Sequence, residues 1–358
     1  MSMRAPESAV RILNDAAAAG DLPGGVLHTG SGSASVAPVP FGHLSANGPE
    51  VTAETRYDLA SLTKVVATLP AVLQLITAGE LELDRPIRRW FSNAGWFQSP
   101  SLADATVRQL LAHNSGLPNW IPLFTRTRDR LLALGIVQQS PVSQIGGTAV
   151  YSDLGFMLLG ALVERVTGSR LDDYVTEHVF RPLGMQSTGF RPFGPGGRPE
   201  LTTAASFAPT EYCGWRNRLL TGEVHDENCC AWEGVAGHAG LFGTAQDLGI
   251  YARSWLAIDP RLGAPELLEE ALKQQAQTET GEPRGLGWQL AHPDGFAGSV
   301  PGYGHTGFTG TSLWLDPGAD RFTVLLTNRV HPDRHRNPSI TGLRRSIHAA
   351  LHERDTHE

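Results

Sequence analysis

Ser61 and Lys64, in the run Asp58-Leu59-Ala60-Ser61-Leu62-Thr63-Lys64, are the first side chains whose types and spacing could do covalent chemistry. A serine hydroxyl is a weak nucleophile until something takes its proton. A lysine three positions on shares its face of a helix. Held out of bulk water, its ammonium has the neutral form favoured and can be that acceptor. The apolar run Val65-Val66-Ala67-Thr68-Leu69 supplies the cover, and a helix beginning near Ser61 surrounds the hydroxyl with backbone N–H groups. Alone the pair proves little, because S-x-x-K is common as a capping serine and a solvated lysine. Two later elements change its weight: Tyr151-Ser152-Asp153 and His305-Thr306-Gly307.

The surrounding pattern says how these residues are carried. Between Pro6 and Gly20, Val10, Leu13 and Ala17 predict a first helix with a narrow apolar stripe. Gly24–Thr29 and Ala34–Ala37 flank Gly30-Ser31-Gly32-Ser33 and read as a hairpin. The helix opened by Ser61 contains Pro70, which predicts a kink or break, and stops at Gly79. A helix around Val107–Ala112 ends at the turn Asn114-Ser115-Gly116. Ser152 and Asp153 are capping residues for a strong helix closed by Gly168, so Tyr151 stands in the turn ahead of it. Ser169-Arg170-Leu171-Asp172 reads as the capping box of a helix running to about Phe180. Residues Arg191 to Trp232 read as a long ordered loop.

Thr244-Ala245-Gln246-Asp247 starts another helix, and beyond it the pattern turns to strands at 285–290, 312–315 and 322–326. Asn337-Pro338 opens a last helix with Ile340, Leu343, Ile347 and Leu351 as its stripe. Strands therefore cluster at both ends and helices fill the middle. The expected fold class is α+β: an antiparallel sheet built from both chain ends, flanked by terminal helices, with an inserted mostly helical region. Residues 1–358 form one catalytic unit on this reading, with an α/β part at 1–60 and 235–358 and the helical insertion at 61–234.

At 358 residues, 41% hydrophobic, the chain can bury a sizeable core. A net charge of −7 without a long Lys/Arg run argues against nucleic acid or an anionic membrane as partner. No apolar stretch has signal-peptide or membrane-spanning length. Three cysteines (Cys213, Cys229, Cys230) cannot make a disulfide framework. The expectation is a soluble, cytoplasmic protein acting on a small molecule or peptide.

The order of the three motifs resembles the serine β-lactamase and penicillin-binding protein superfamily. The likeness is to the branch with class C β-lactamases, D-alanyl-D-alanine carboxypeptidases, D-aminopeptidases and related esterases. Leu110–Pro118, Gly237–Phe242 and Leu326–Arg329 extend it over most of the chain. The resemblance implies a serine hydrolase without cofactor or metal, in which Ser61 is acylated and Lys64 and Tyr151 share the proton traffic. It places the oxyanion hole at the N–H groups of Ser61 and Phe308. It makes Asp153, His305, Thr306 and Gly307 substrate-binding residues, with His305 and Thr306 along an edge strand. Asp153 stands where the family often has asparagine, and His305 where many relatives have lysine. A module acylated at Ser61 without turnover is the alternative.

Other sites are weaker. There is no G-x-S-x-G elbow, which argues against an α/β-hydrolase. His225, Asp226, Glu227, Cys229, Cys230 and His238 are metal-capable, but their spacing matches no zinc pattern. They read as a loop lining the cleft.

Overall fold

An antiparallel sheet joins the two ends of the chain in a computed structural model that describes residues 7–91, 97, 100–193, 207–336 and 340–352. Strands β1 (Gly24–Gly30), β2 (Val39–Gly42) and β3 (Tyr57–Asp58) come first. The middle supplies β4 (Gly189–Phe190), β5 (Pro209–Cys213), β6 (Arg218–Thr221) and β7 (Leu241–Gly243). The C-terminal part adds β8 (Ala276–Gln277), β9 (Pro283–Arg284), β10 (Gln289–Leu290), β11 (Tyr303–Thr306), β12 (Ser312–Asp316) and β13 (Arg321–Thr327). Among the described residues the main sheet has eight strands in the order β2-β1-β13-β12-β11-β10-β9-β8.

β1 is buried along its whole length because both faces of the sheet are covered. Leu27 and Leu325 point into a cluster with Leu13, Ile347 and Leu351 of the terminal helices Glu7–Ala19 and Thr341–His352. Their neighbours Val26, Val324 and Leu326 point the other way, into the main core with Leu248 and Tyr251 of the helix Ala245–Leu256. This alternation is what a two-residue strand period requires. The fold class is as the sequence implies.

Several local expectations change. The first helix buries Ala9, Leu13 and Ala16, while Val10 and Ala17 lie at the margin of its stripe. Val39–Gly42 is the strand paired with β1, and Ala34–Ala37 makes a narrow return ahead of it, with Ser35 bridging Gly30 and the Val36 N–H donating to Thr29 O at 3.0 Å. Pro70 leaves the helix after Ser61 unbroken: Lys64–Thr68 is a π-helical turn, with Leu69 N–H bonded to Lys64 O, and Leu69–Thr77 continues as α-helix. The wider turn absorbs the donor that proline lacks. No capping box forms at Ser169–Asp172, since the Leu171 N–H donates to the Glu164 carboxylate at 3.0 Å. The Arg191–Trp232 stretch holds the β5–β6 hairpin and a short helix, Glu227–Ala231. Of Gly285–Leu290, only Gln289–Leu290 is strand. Asn337-Pro338 lies outside the described residues. Cys213, Cys229 and Cys230 are free thiols, and no helix among the described residues is long and apolar enough to cross a membrane.

Candidate active site

Ser61 follows a strained corner. Ala60 has φ +47°, an uncommon conformation for a residue with a Cβ. The buried Asp58 carboxylate holds it there, one oxygen accepting the Ala60 N–H at 2.8 Å and the other the His225 N–H at 2.6 Å. Helix starts at Leu62, so Ser61 occupies its mouth. The Gly237–Leu241 stretch lies along the same turn: Gly237 O accepts from Thr68 Oγ1 at 2.7 Å, and Leu241 N–H donates to Thr63 Oγ1 at 3.2 Å.

Lys64 is fully buried. Its Nζ donates to Ser61 Oγ at 3.0 Å and to His238 O at 3.1 Å, and it is ion-paired with Asp153 Oδ1 at 2.7 Å. Here the electrostatics overturn the expectation of a desolvated neutral amine. Burial does pull the Lys64 pKa down, but the charge of Asp153, helped by Tyr151, outweighs it and the pKa is raised. The resting residue is an ammonium. Asp153, the departure from the family's asparagine, is what keeps it so.

Tyr151 stands over that ammonium, with Nζ 5.0 Å from its ring centroid. Burial raises its phenol pKa, and Lys64 and a hydrogen bond to Ser61 only partly offset this, so the phenol is neutral rather than easily ionised. Sequence reasoning missed what places it. His113, itself at φ +60°, clasps the residues on either side: its carbonyl accepts the Val150 N–H at 2.8 Å and its Nδ1 the Ser152 N–H at 2.9 Å. Its ring lies between Tyr151 (centroids 4.7 Å apart) and Phe156 (5.2 Å). Burial lowers the His113 pKa well below its ordinary value, which preserves the Nδ1 lone pair the clasp needs. Ser152 caps the next helix, accepting from the Gly155 N–H, as expected.

His113→Phe keeps a ring but strands the Ser152 N–H, at a cost of about 1–3 kcal/mol. We expect that loss in denaturant unfolding together with a roughly tenfold lower kcat. Asn tolerates positive φ and can present an oxygen to the same N–H, so His113→Asn should recover most of both. A His113→Phe protein as stable and active as wild type would dismiss the clasp.

His305 and Thr306 lie on β11, an interior strand rather than an edge. Pairing with β10 covers only Tyr303 and Gly304, so His305 and Thr306 form a local edge above the cleft. His305 Nδ1 is 2.8 Å from Thr306 O. A carbonyl only accepts, so Nδ1 carries the hydrogen and Nε2 is a lone-pair acceptor. Nε2 is buried, with no protein partner among the described residues. Burial, then Lys64 and Arg284, push the His305 pKa down to about 3. The lowered pKa favours a neutral His305 near neutrality, against a cation for a substrate carboxylate. From pH 5 to 8, KM profiles of a carboxylated and a neutral ester should run parallel. If KM for the carboxylated ester alone worsens as pH rises through about 6.5, the neutral assignment fails.

Gly307 is a packing position. A Cβ there would meet Thr311 Oγ1 at 2.1 Å and Leu59 O at 2.5 Å. Thr309 Oγ1 donates to Asp58 O at 2.7 Å and Thr311 Oγ1 to Leu59 O at 3.1 Å, stitching the turn of Phe308 to the segment before Ser61. Among the described residues, neither the Ser61 nor the Phe308 N–H donates to another protein group. Arg284, also unforeseen, closes this wall, buried with its guanidinium 5.9 Å from the Tyr151 centroid and 3.2 Å from Glu282.

Across a cleft of about 590 Å³ stand Asp226, Glu227 and His238. His238 Nε2 is 2.9 Å from Asp226 Oδ1. Burial works to raise the Asp226 pKa, but His238 and the Cys229 N–H hold it well below the usual carboxylate range. Donor atoms of Asp153, Asp226 and His238 lie within 4.8 Å of one another. Protein partners engage all three: Asp153 pairs with Lys64, and the other two pair together. His225 lies 3.3 Å from Glu211, Glu227 pairs with Arg334, and Cys229 Sγ donates to Ala239 O at 3.1 Å.

The family model described as Beta-lactamase matches residues 10–343. The chain belongs to the beta-lactamase family. Within that family it is 32% identical, over 83% of this chain and 75% of the relative, to the Escherichia coli O157:H7 protein named "Putative D-alanyl-D-alanine carboxypeptidase". It is 31% identical to the N-acetylmuramyl-L-alanine amidase of Bacillus subtilis (strain 168), over 84% and 76% of the two chains. Simvastatin synthase (LovD) from Aspergillus terreus shares the fold, with TM-score 0.74, 98% of each chain covered and 20% identity. Like other beta-lactamase family members of the serine type, the protein is a hydrolase.

Proposed function

We propose that the protein hydrolyses an amide or ester bond through an acyl-enzyme on Ser61, with a β-lactam, a D-amino-acid peptide or a small ester as substrate. The observation that carries this is the Ser61–Lys64–Asp153 chain, 3.0 and 2.7 Å per step, at the wall of an open cleft. Lys64 must shed a proton before it can accept one, and Asp153 is the nearest place to put it. With the proton on Asp153, the neutral amine takes the Ser61 hydrogen as Oγ bonds to the carbonyl carbon. The N–H groups of Ser61 and Phe308 receive the developing oxyanion, and fixed donors of this kind typically supply the largest electrostatic contribution. The neutral Tyr151 phenol protonates the leaving atom as the scissile bond breaks, and is reprotonated through Lys64. Water then repeats the sequence on the ester. His305 and Thr306 line the cleft that receives the substrate, with Thr306 the more exposed of the two.

The names of the carboxypeptidase relatives favour amides of D-amino-acid peptides over the other two classes. We also read residues 1–358 as one catalytic unit, since the cleft draws on both the 1–60/235–358 part and the 61–234 part. The test is intact-mass spectrometry after exposure to β-lactams, D-Ala-D-Ala peptides and short-chain esters. One class should leave a transient adduct on Ser61 with steady turnover. An adduct that never leaves would make the protein an acylated binding module, and adducts elsewhere would refute the reading.

A further inference from the structure

One wall of the cleft leads outward over a row of aromatic rings. Trp120 lines the cleft and is 42% exposed, and Trp215, in the turn between β5 and β6, is 41% exposed. Phe124 connects them, its centroid 6.4 Å from Trp120 and 4.9 Å from Trp215. Exposed rings in a continuous row cost solubility and mark interaction surfaces.

This row is also rigidly held. Asn119 O accepts the Asp153 N–H at 2.9 Å on one side of Trp120, and Ile121 O accepts Asn228 Nδ2 at 2.9 Å on the other. Asn228 Oδ1 accepts the Phe124 N–H at 3.0 Å. An exposed tryptophan fixed through both neighbouring peptides, one of them bonded to Asp153, is pre-organised for a ligand at Ser61. Arg128 and Arg216 stand 5.7 and 5.6 Å from the Trp215 ring.

We propose that this row is a subsite for an apolar arm, a medium-length alkyl chain or an aryl group, on the acyl side of the substrate. This inference rests on the proposed chemistry, in which the acyl arm stays on Ser61 between the two steps while the leaving group departs. The Trp120 loop that would hold the arm reaches from the Asp153 N–H on one side to Asn228, beside Asp226, on the other. The arm's character follows from the rings. Successive planes are tilted by 46° and 67°, which makes a notch rather than the flat platform that a sugar ring stacks on.

The experiment is a series of p-nitrophenyl esters, acetate, butyrate, octanoate and phenylacetate, on wild type, Trp120→Ala and Trp215→Ala. In wild type, kcat/KM should rise about two- to fourfold per methylene, the gain from burying a CH₂ partly or fully. Trp215→Ala should lower octanoate about tenfold and leave acetate within twofold. Trp120→Ala should flatten the series from butyrate onward. Binding separates this proposal from the chemistry: Ser61→Ala protein should bind the octanoate ester at least about 60-fold tighter than acetate by calorimetry, and that preference should shrink about tenfold when Trp215→Ala is added. If no ester is turned over but this preference holds, the acyl-enzyme reading fails and the subsite stands. A flat series with no binding preference overturns the subsite, as does an equal loss on all esters. So does preferential binding of an amino-sugar disaccharide that Trp215→Ala abolishes.

Discussion

Ser61→Ala should lower turnover of every substrate by at least about 10⁴-fold, the scale seen when a covalent nucleophile is removed. It should also abolish mass labelling. The substitution is gentle on the fold, because the bonds of Ser61 Oγ run to the side chains of Lys64 and Tyr151, while the strained corner is held by Asp58 and the backbone. Circular dichroism and unfolding should stay close to wild type. A Ser61→Ala protein that is still acylated would move the nucleophile elsewhere and remove the basis of the assignment.

The second large effect concerns the group behind the serine. Lys64→Ala and Tyr151→Phe should each cost roughly a hundredfold or more in turnover. The double variant should be little worse than the poorer single, because the two residues move one proton between them. Losses that simply multiply would disprove the shared path. Asp153→Asn adds a directional check. It removes both the charge that raises the Lys64 pKa and the proposed acceptor of its proton, so turnover should fall and the acid limb of the rate profile should move to lower pH. In wild type the raised pKa contributes stability that is fully present below about 10.5 and lost as pH climbs through the folded value. Without Asp153 the sign reverses: burial depresses the Lys64 pKa, and stability declines as pH falls below about 10.5. An unmoved acid limb in Asp153→Asn would mean that Asp153 does not set the charge on Lys64.

Much of this was legible in the sequence where local chemistry decides. Ser152 and Thr244 cap their helices as their types suggest, and the apolar runs at 312–315 and 322–326 do form adjacent strands, paired along the whole of β12. The ordered motifs located the cleft. What stayed hidden depends on partners far away in sequence. The charge on Lys64 is set by Asp153, and the neutrality of His305 by burial together with Lys64 and Arg284. Neither follows from residue type. The two-residue strands β8 to β10 have no periodicity to detect and exist through pairing alone. The capping box at Ser169 lost to a carboxylate, Glu164, that approaches from the preceding helix.

The pairing of β1 with β13, Gly25 against Thr327 through Gly30 against Phe322, sets the order of events at the ribosome. β1 is among the first strands to emerge, yet one of its two neighbours is among the last. Until then it offers a bare, apolar hairpin edge of the kind that invites pairing with other chains. Closing so long a loop is slow and comes late in folding. The central sheet therefore cannot be completed until β13 has emerged, and Asn328, whose side chain ties Leu44 O to Pro209 O at 2.9 Å each, locks the assembly only then. Chains cut short before β13 should accumulate as aggregates rather than as smaller folded proteins.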